Sequence, residues 1–256
     1  LSTTFSIPSS DPVLLEKAIR IAQEFARGLI SEDITGIVFL GAVARGYFDS
    51  EADIDIAIFK REDSKIPVNA KFYKVEGMEV QVWLSDYERE LTETWDMPKR
   101  WTYSQGQIFH DPQGKIACLL RDKVPLKAEE KRWMLMSGLT LSEWYVNRLT
   151  RLWVMRGNIT AAHTMFSQGL IYFFDMLFAL NDELVPDMKW RQYCVERLER
   201  LPQNFQSCLQ QTMLLHAFSL EELERRRMAF MEMWEEMKPV IESEVGLSYP
   251  EIRELV

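Results

Sequence analysis

The sequence predicts an α+β fold class: a small mixed-sheet domain over residues 1–124, followed by an all-α helical bundle domain over 125–256. Three observations carry that prediction. Apolar runs of strand length, at 37–40, 54–59, 79–84 and 107–110, all lie before Pro125. From 127 to 246 the apolar residues recur at helical spacing only. The chain has 256 residues, 47% of them hydrophobic, which is enough for two domains of ordinary core composition.

Taken in order, Asp11 is placed to cap a helix with Pro12 at its first position. Leu14, Leu15, Ala18, Ile19, Ala22, Phe25 and Ala26 recur at helical spacing, and the helix is expected to end near Ile30. Ile37-Val38-Phe39-Leu40 then reads as a buried strand that leads into a small-residue turn, Gly41-Ala42. About ten residues on, a second apolar run through Phe59 carries two aspartates, Asp53 and Asp55. Residues i and i+2 of a strand share a face, so both carboxylates project together. Two anions held side by side repel and lose solvation. A divalent cation between them removes that cost, and hard oxygen ligands suit Mg²⁺. Gly41 can take a backbone conformation closed to other residues, and Ala42 adds almost no bulk. Phosphates can then approach the N–H groups where the next short helix begins. Either feature alone is common, and many Asp-x-Asp pairs are solvated strand ends. Together they describe a metal-dependent phosphoryl- or nucleotidyl-transfer site.

Residues 71–74 and 79–84 read as a hairpin with Glu76-Gly77 at the turn. Ser85-Asp86-Tyr87-Glu88 reads as a capping box that opens a short helix towards Trp95. Residues 107–110 form a further strand, closed by Asp111-Pro112, with His110 as a structural strand-end residue. No run of eighteen apolar residues exists, and residues 1–10 lack a basic region followed by an apolar core, so neither a membrane span nor a secretory signal is expected. Cys118, Cys194 and Cys208 have no metal-ligand spacing, which fits reduced thiols in a cytoplasm. The net charge of −9 argues against a long nucleic acid as partner and suits a small cationic substrate.

The stretch 41–55 resembles the signature of the nucleotidyltransferase superfamily related to DNA polymerase beta: a Gly-Ser turn, about ten residues, then Asp-x-Asp. It looks closest to the small bacterial members, the aminoglycoside and lincosamide nucleotidyltransferases, which commonly read G-S-x-A-R-G before S-D-x-D. Ala44-Arg45-Gly46 and Asp53-Ile54-Asp55 match, whereas Ala42 and Ala52 stand where the family has serine. The change at Ala42 removes a hydroxyl that in the family helps to hold the nucleotide phosphates. The resemblance implies transfer of a nucleoside monophosphate, AMP from ATP above all, to a hydroxyl of a small acceptor such as an aminoglycoside-like compound. It further implies that Asp53, Asp55 and a third carboxylate hold Mg²⁺, and that Gly41, Ala42 and Arg45 position phosphates. Glu79 is the candidate third carboxylate, as ligand or as base; Gln81 stands where the acidic residue of many relatives falls, and only one of the two should sit at the metal. A solvated strand residue at Glu79, with the triad incomplete, is the alternative. The acceptor is expected in a cleft between the domains, and the protein as a monomer or homodimer.

In the bundle, helices are expected between breaks at Arg156-Gly157-Asn158, at 181–186, at Leu201-Pro202 and near Ser219. Ser219-Leu220-Glu221-Glu222 is a second capping box, at the start of a long helix. Five helices with short breaks predict an antiparallel bundle. The Pro-x-x-Lys-Trp of Pro186-Asp187-Met188-Lys189-Trp190 and the later Leu201-Pro202 look like the helical domain of the same family. There a lysine reaches the triphosphate, which makes Lys189 the candidate; a surface lysine beside a core tryptophan is the alternative. Glu143 and Asp175 are further candidates to meet a cationic substrate. Two other functions stay open. One is a nucleotide-binding regulatory or toxin–antitoxin component without transfer activity, which Ala42 and Gln81 favour. The other is a HEPN-type ribonuclease, whose Arg-x(4–6)-His motif Arg156 and His163 resemble.

Overall fold

Asp11 opens the first helix, α1 (Pro12–Arg27): its carboxylate accepts from the N–H groups of Val13 and Leu14, and proline sits in the first turn. The helix ends at Arg27 rather than near Ile30: past Gly28 the bonding tightens to i→i−3, from Leu29 to the Ala26 carbonyl and from Ile30 to that of Arg27. The structure, a computed structural model, describes residues 7–68 and 70–256; of the 1–10 stretch considered above, residues 1–6 lie outside it. Two compact units make up the chain, Leu1–Pro125 and Leu126–Val256.

The first unit is built on a mixed five-stranded sheet of order β3-β4-β2-β1-β5, comprising β1 (Ile34–Leu40), β2 (Ile54–Lys60), β3 (Ala70–Val75), β4 (Met78–Asp86) and β5 (Gln107–His110). β2 and β4 run parallel, and every other neighbouring pair is antiparallel. A five-residue helix, α2 (Gly41–Arg45), lies between β1 and β2. β3 and β4 are joined by the two-residue turn Glu76-Gly77, whose φ angles of 50° and 89° are both left-handed, as the twist of a tight hairpin requires.

Alternation along the strands sorts the two faces. Phe25 of α1 meets Tyr73 of β3 at a centroid distance of 5.0 Å. On the opposite face Val38, Leu40, Ala57 and Phe59 pack with Tyr87, Trp95, Ile116 and Leu119. Those covering residues come from α3 (Tyr87–Thr92), from the loop before α4 (Met97–Ser104) and from α5 (Lys115–Lys123). α4 and α5 were not anticipated, although Asp96 caps α4 through the Lys99 N–H at 2.9 Å. The capping box expected at 85–88 does not form. Asp86 makes no cap hydrogen bond and instead pairs with buried Lys60 at 2.6 Å, while Glu88 accepts from the Glu62 N–H. A buried ammonium needs a carboxylate more than a short helix needs a cap.

The second unit is helical throughout its elements: α6 (Ala128–Glu143), a π-helical turn (Trp144–Leu149), α7 (Thr150–Met155), α8 (Ile159–Leu180), α9 (Met188–Val195), α10 (Phe205–Met213), α11 (Leu220–Val245) and α12 (Tyr249–Leu255). Breaks fall at the expected places. α6, the π turn and α7 run on without interruption, so five helical stretches precede α12. The hydrophobic face of α8 packs closely on α6 and the π turn. A Cβ on Gly138 would lie 2.5 Å from Met176 Cβ, and one on Gly169 would lie 2.6 Å from Val146, so both sites admit only glycine at this spacing. Ser219 caps α11 through the Glu222 N–H, but Glu222 turns to His216 and Arg225 instead of completing a box. Among the described residues no helix is long and apolar enough to cross a membrane.

Candidate functional site

The site begins where two adjacent strands end. Leu40, the last residue of β1, pairs with Asp55 near the start of β2, so the turn after Leu40 lies against the Asp55 carboxylate. Gly41 holds φ at +57°, and a Cβ there would stand 2.0 Å from Asp55 Oδ2. Glycine is needed twice over, for the left-handed backbone and for the space the carboxylate takes. The turn and the second of the two aspartates, separate features of the sequence, are in contact. Ala42 is buried in the first turn of α2, and the side chain of Leu40, at the N-cap position, offers no cap to that helix.

Asp53 stands just before β2 and Asp55 within it, both partly buried. Their shared face continues into Ala57 and Phe59, part of the core. In the parallel register, Asp55 pairs with Gln81 of β4. The Gln81 amide nitrogen donates to Asp53 Oδ2 and, at 3.0 Å, to Glu79 Oε1. Gln81 therefore lies between the carboxylate pair and Glu79, which is exposed and faces Lys74 in the β3 register. Among the described residues no group of three or more His, Cys, Asp or Glu side chains that could hold a metal is found, so Glu79 is not gathered with the two aspartates into a three-carboxylate site. Mg²⁺ asks for less: it is commonly held by one or two carboxylates with substrate phosphates, and it keeps waters on its other positions. Asp53 and Asp55 are hard oxygen donors in that number, and a cavity opens beside Asp53, so they fit the ion.

Arg45 is placed differently from the expectation of a phosphate contact. It is buried, with its guanidinium stacked 3.9 Å above the Trp101 ring. The Tyr47 hydroxyl is pushed up to about 12, chiefly by burial, with Arg45 pulling it down and Asp49 and Asp55 raising it, so it stays protonated near Asp55. Sequence reasoning missed Tyr47 and the bridging part of Gln81; Gln81's spacing from Glu79 was the one available signal. Beside Asp53 opens a cavity of about 700 Å³, lined among others by Lys17, Asp49, Phe72, Lys74 and Glu79. His110 ends β5, opposite Ile37.

The remaining candidates belong to the second unit. Lys189 is exposed in the first turn of α9, where its N–H donates to Asp187. Glu143 accepts from Asn147 at 2.9 Å and from the Tyr249 hydroxyl at 3.4 Å. The Asp175 carboxyl is pushed up to about 6 by burial, which outweighs the pull of Arg191 at 3.4 Å; its Oδ1 takes no hydrogen bond, so this contact is charge against charge only. Arg156 lies exposed over Trp153, 5.1 Å from the ring centroid. His163 is buried, with Arg226 Nη1 2.7 Å from Nδ1 and the Ser219 carbonyl 3.3 Å from Nε2. A guanidinium can only donate, so Nδ1 accepts and Nε2 carries the proton that goes to Ser219. Both ring nitrogens are committed to holding α8 against α11, which leaves no lone pair for a general base.

That arrangement has a consequence for pH. Burial, joined by the Arg226 charge, holds His163 below its ordinary value of 6.5, against the Ser219 bond and Glu222, which favour the charged form. The unfolded chain therefore takes up a proton at a pH where the folded chain does not, and stability falls as pH drops below about 6.5. His163→Gln is expected to flatten this slope by at most one proton, as read from denaturant unfolding between pH 5 and 7.5. An unchanged slope would mean that His163 protonates freely in the fold.

No protein-family model matches the chain, and no curated protein matches it. Among solved structures, the chain is similar to a nucleotidyltransferase-like protein from Exiguobacterium sibiricum 255-15, at 14% identity and a TM-score of 0.48, over 90% of this chain and 77% of that one. At that level of likeness, the functional reading stands on the residues themselves.

Proposed function

We propose that the first unit is the catalytic part of a metal-dependent nucleotidyltransferase that moves a nucleoside monophosphate, AMP from ATP, to a hydroxyl of a small acceptor. The observation that carries the reading is the contact between Gly41 and Asp55: a left-handed glycine turn with no Cβ, set directly against the second of two carboxylates on one strand face. Triphosphate oxygens approach the backbone where Gly41 and Ala42 keep side chains out of the way. Asp53 and Asp55 hold the cation. Bound Mg²⁺ supplies Lewis-acid stabilisation of charge on the α-phosphate and the leaving pyrophosphate. The acceptor oxygen bonds to the α-phosphorus as the bond to pyrophosphate breaks, and Glu79 takes the hydroxyl proton. Gln81 orients Glu79 and Asp53 together through its amide. With a net charge of −9 and acidic residues around Asp53, a cationic acceptor is favoured.

A second reading, nucleotide binding without transfer, has its own observation. Gln81 occupies the strand position directly beside Asp55, so that position carries an amide instead of a carboxylate. One experiment separates the readings. Thermal unfolding with each of the four ribonucleoside triphosphates, with and without Mg²⁺, reports binding because a ligand of the folded state raises its apparent stability. The proposal expects a Mg²⁺-dependent shift with ATP that Asp53→Ala removes, followed by pyrophosphate release when acceptors are screened. A shift independent of both Mg²⁺ and Asp53 leaves binding alone; no shift with any nucleotide overturns both readings.

A further inference from the structure

The carboxylate-bearing face of the sheet is only half covered within the first unit. Its β1–β2 half lies under Tyr87, Trp95, Ile116 and Leu119. Its β4–β3 half presents two large aromatic side chains to solvent, Trp83 at 47% and Phe72 at 61% exposure. Register puts both rings on the same face as the aspartates. Asp55 pairs with Gln81, Gln81 pairs with Phe72, and Trp83 follows Gln81 by two residues. The two rings meet edge to face at a centroid distance of 6.5 Å, while the neighbouring Tyr73 points the other way, onto Phe25. Neighbouring strands lie about 4.8 Å apart, so Phe72 stands two strands, roughly 10 Å, from Asp55.

Single exposed apolar residues are ordinary, but a paired Phe and Trp beside a cluster of polar side chains is the composition of a ligand surface. The sheet holds both rings rigidly from below, and each offers a π-face or edge to a planar partner. We infer that Phe72 and Trp83 form an aromatic shelf that receives the nucleobase of the nucleotide whose phosphates lie at Gly41 and the aspartates; this inference rests on the nucleotide reading above. Stacking uses the π-face that every base has and reads no hydrogen-bonding edge, so the shelf accepts several bases and grips the larger purine ring best.

The test is calorimetric titration of the full chain with Mg-ATP and, separately, with Mg²⁺ and inorganic tripolyphosphate, for the wild type, Phe72→Ala and Trp83→Ala. Both side chains are exposed, and unfolding curves of the unliganded variants check that the fold is kept. Mg-ATP is expected to bind roughly ten- to a hundredfold tighter than tripolyphosphate. Each substitution should shrink that advantage and leave tripolyphosphate unchanged. Equal affinity for the two ligands, or an advantage that survives both substitutions, overturns the shelf and leaves the phosphate site standing. Failure of both ligands to bind removes the nucleotide reading, and the shelf with it. If Trp83→Ala changes the oligomeric state and not the advantage of Mg-ATP, the shelf is overturned in favour of a second copy of the chain on this face.

Discussion

Asp53→Asn is expected to leave the unliganded protein's stability within about 0.5 kcal/mol of the wild type and to remove its Mg²⁺-dependent stabilisation by ATP. The two effects separate because asparagine keeps one property of aspartate and loses the other. Its side-chain oxygen still accepts the Gln81 N–H, so the strand end remains tied to β4. Its charge is gone, which relieves repulsion from Asp55 in the unliganded protein and takes away half of the pair proposed to hold Mg²⁺. Asp55→Asn should behave alike towards the ion, since asparagine fills the same space against Gly41. Transfer activity should fall about 100-fold or more in either variant, equivalent to roughly 3 kcal/mol of lost transition-state stabilisation. Unfolding curves with and without Mg-ATP, and pyrophosphate release, measure the two parts. A variant that kept the Mg²⁺-dependent shift would show that the ion sits elsewhere.

The α+β architecture was legible because it rests on local signals. Asp11-Pro12, the Glu76-Gly77 turn and Ser219 each specify a local geometry through a backbone or capping requirement, and each stands where the pattern put it. Legibility failed where a side chain had a stronger claim elsewhere. Asp86 reads as part of a helix start, but buried Lys60, distant in sequence, takes its carboxylate. The π turn at Trp144–Leu149 leaves no mark in the apolar spacing. Its Tyr145 carbonyl is met by the Thr150 hydroxyl at 2.9 Å, and its fit against Gly169 depends on a helix further along the chain. At the candidate site the same division holds. The glycine turn and the aspartate pair could be read as motifs, but their contact depends on the antiparallel register of β1 with β2. Arg45 shows the limit most plainly: an arginine after a phosphate-type turn reads as a phosphate ligand, and only the packing reveals Trp101 beneath it. The Phe72–Trp83 pair arises from the β3–β4 register and has no motif at all.

Gly41→Ala is expected to damage both the stability of the first unit and its ligand site, and for two separable reasons. The backbone reason is the φ of +57°, which costs a residue with a Cβ about 1–2 kcal/mol. The packing reason is the new Cβ, placed 2.0 Å from Asp55 Oδ2, where something must move at a cost of about 1–3 kcal/mol for an overpacked site. Gly77→Ala at the hairpin tip isolates the first, because φ there is +89° and no atom stands within 4 Å of the new carbon. Denaturant unfolding should therefore rank Gly41→Ala below Gly77→Ala, and Gly77→Ala below the wild type. The atom most free to yield at Gly41 is the Asp55 carboxylate itself, so the methyl would drive the proposed metal ligand out of the strand face. Mg-ATP binding should then fall in Gly41→Ala even under conditions where the protein is fully folded, and should be unchanged in Gly77→Ala. Gly41→Ala that binds Mg-ATP like the wild type would mean that the Asp55 carboxylate can leave its place without consequence, and the contact between turn and carboxylate would no longer support a nucleotide site.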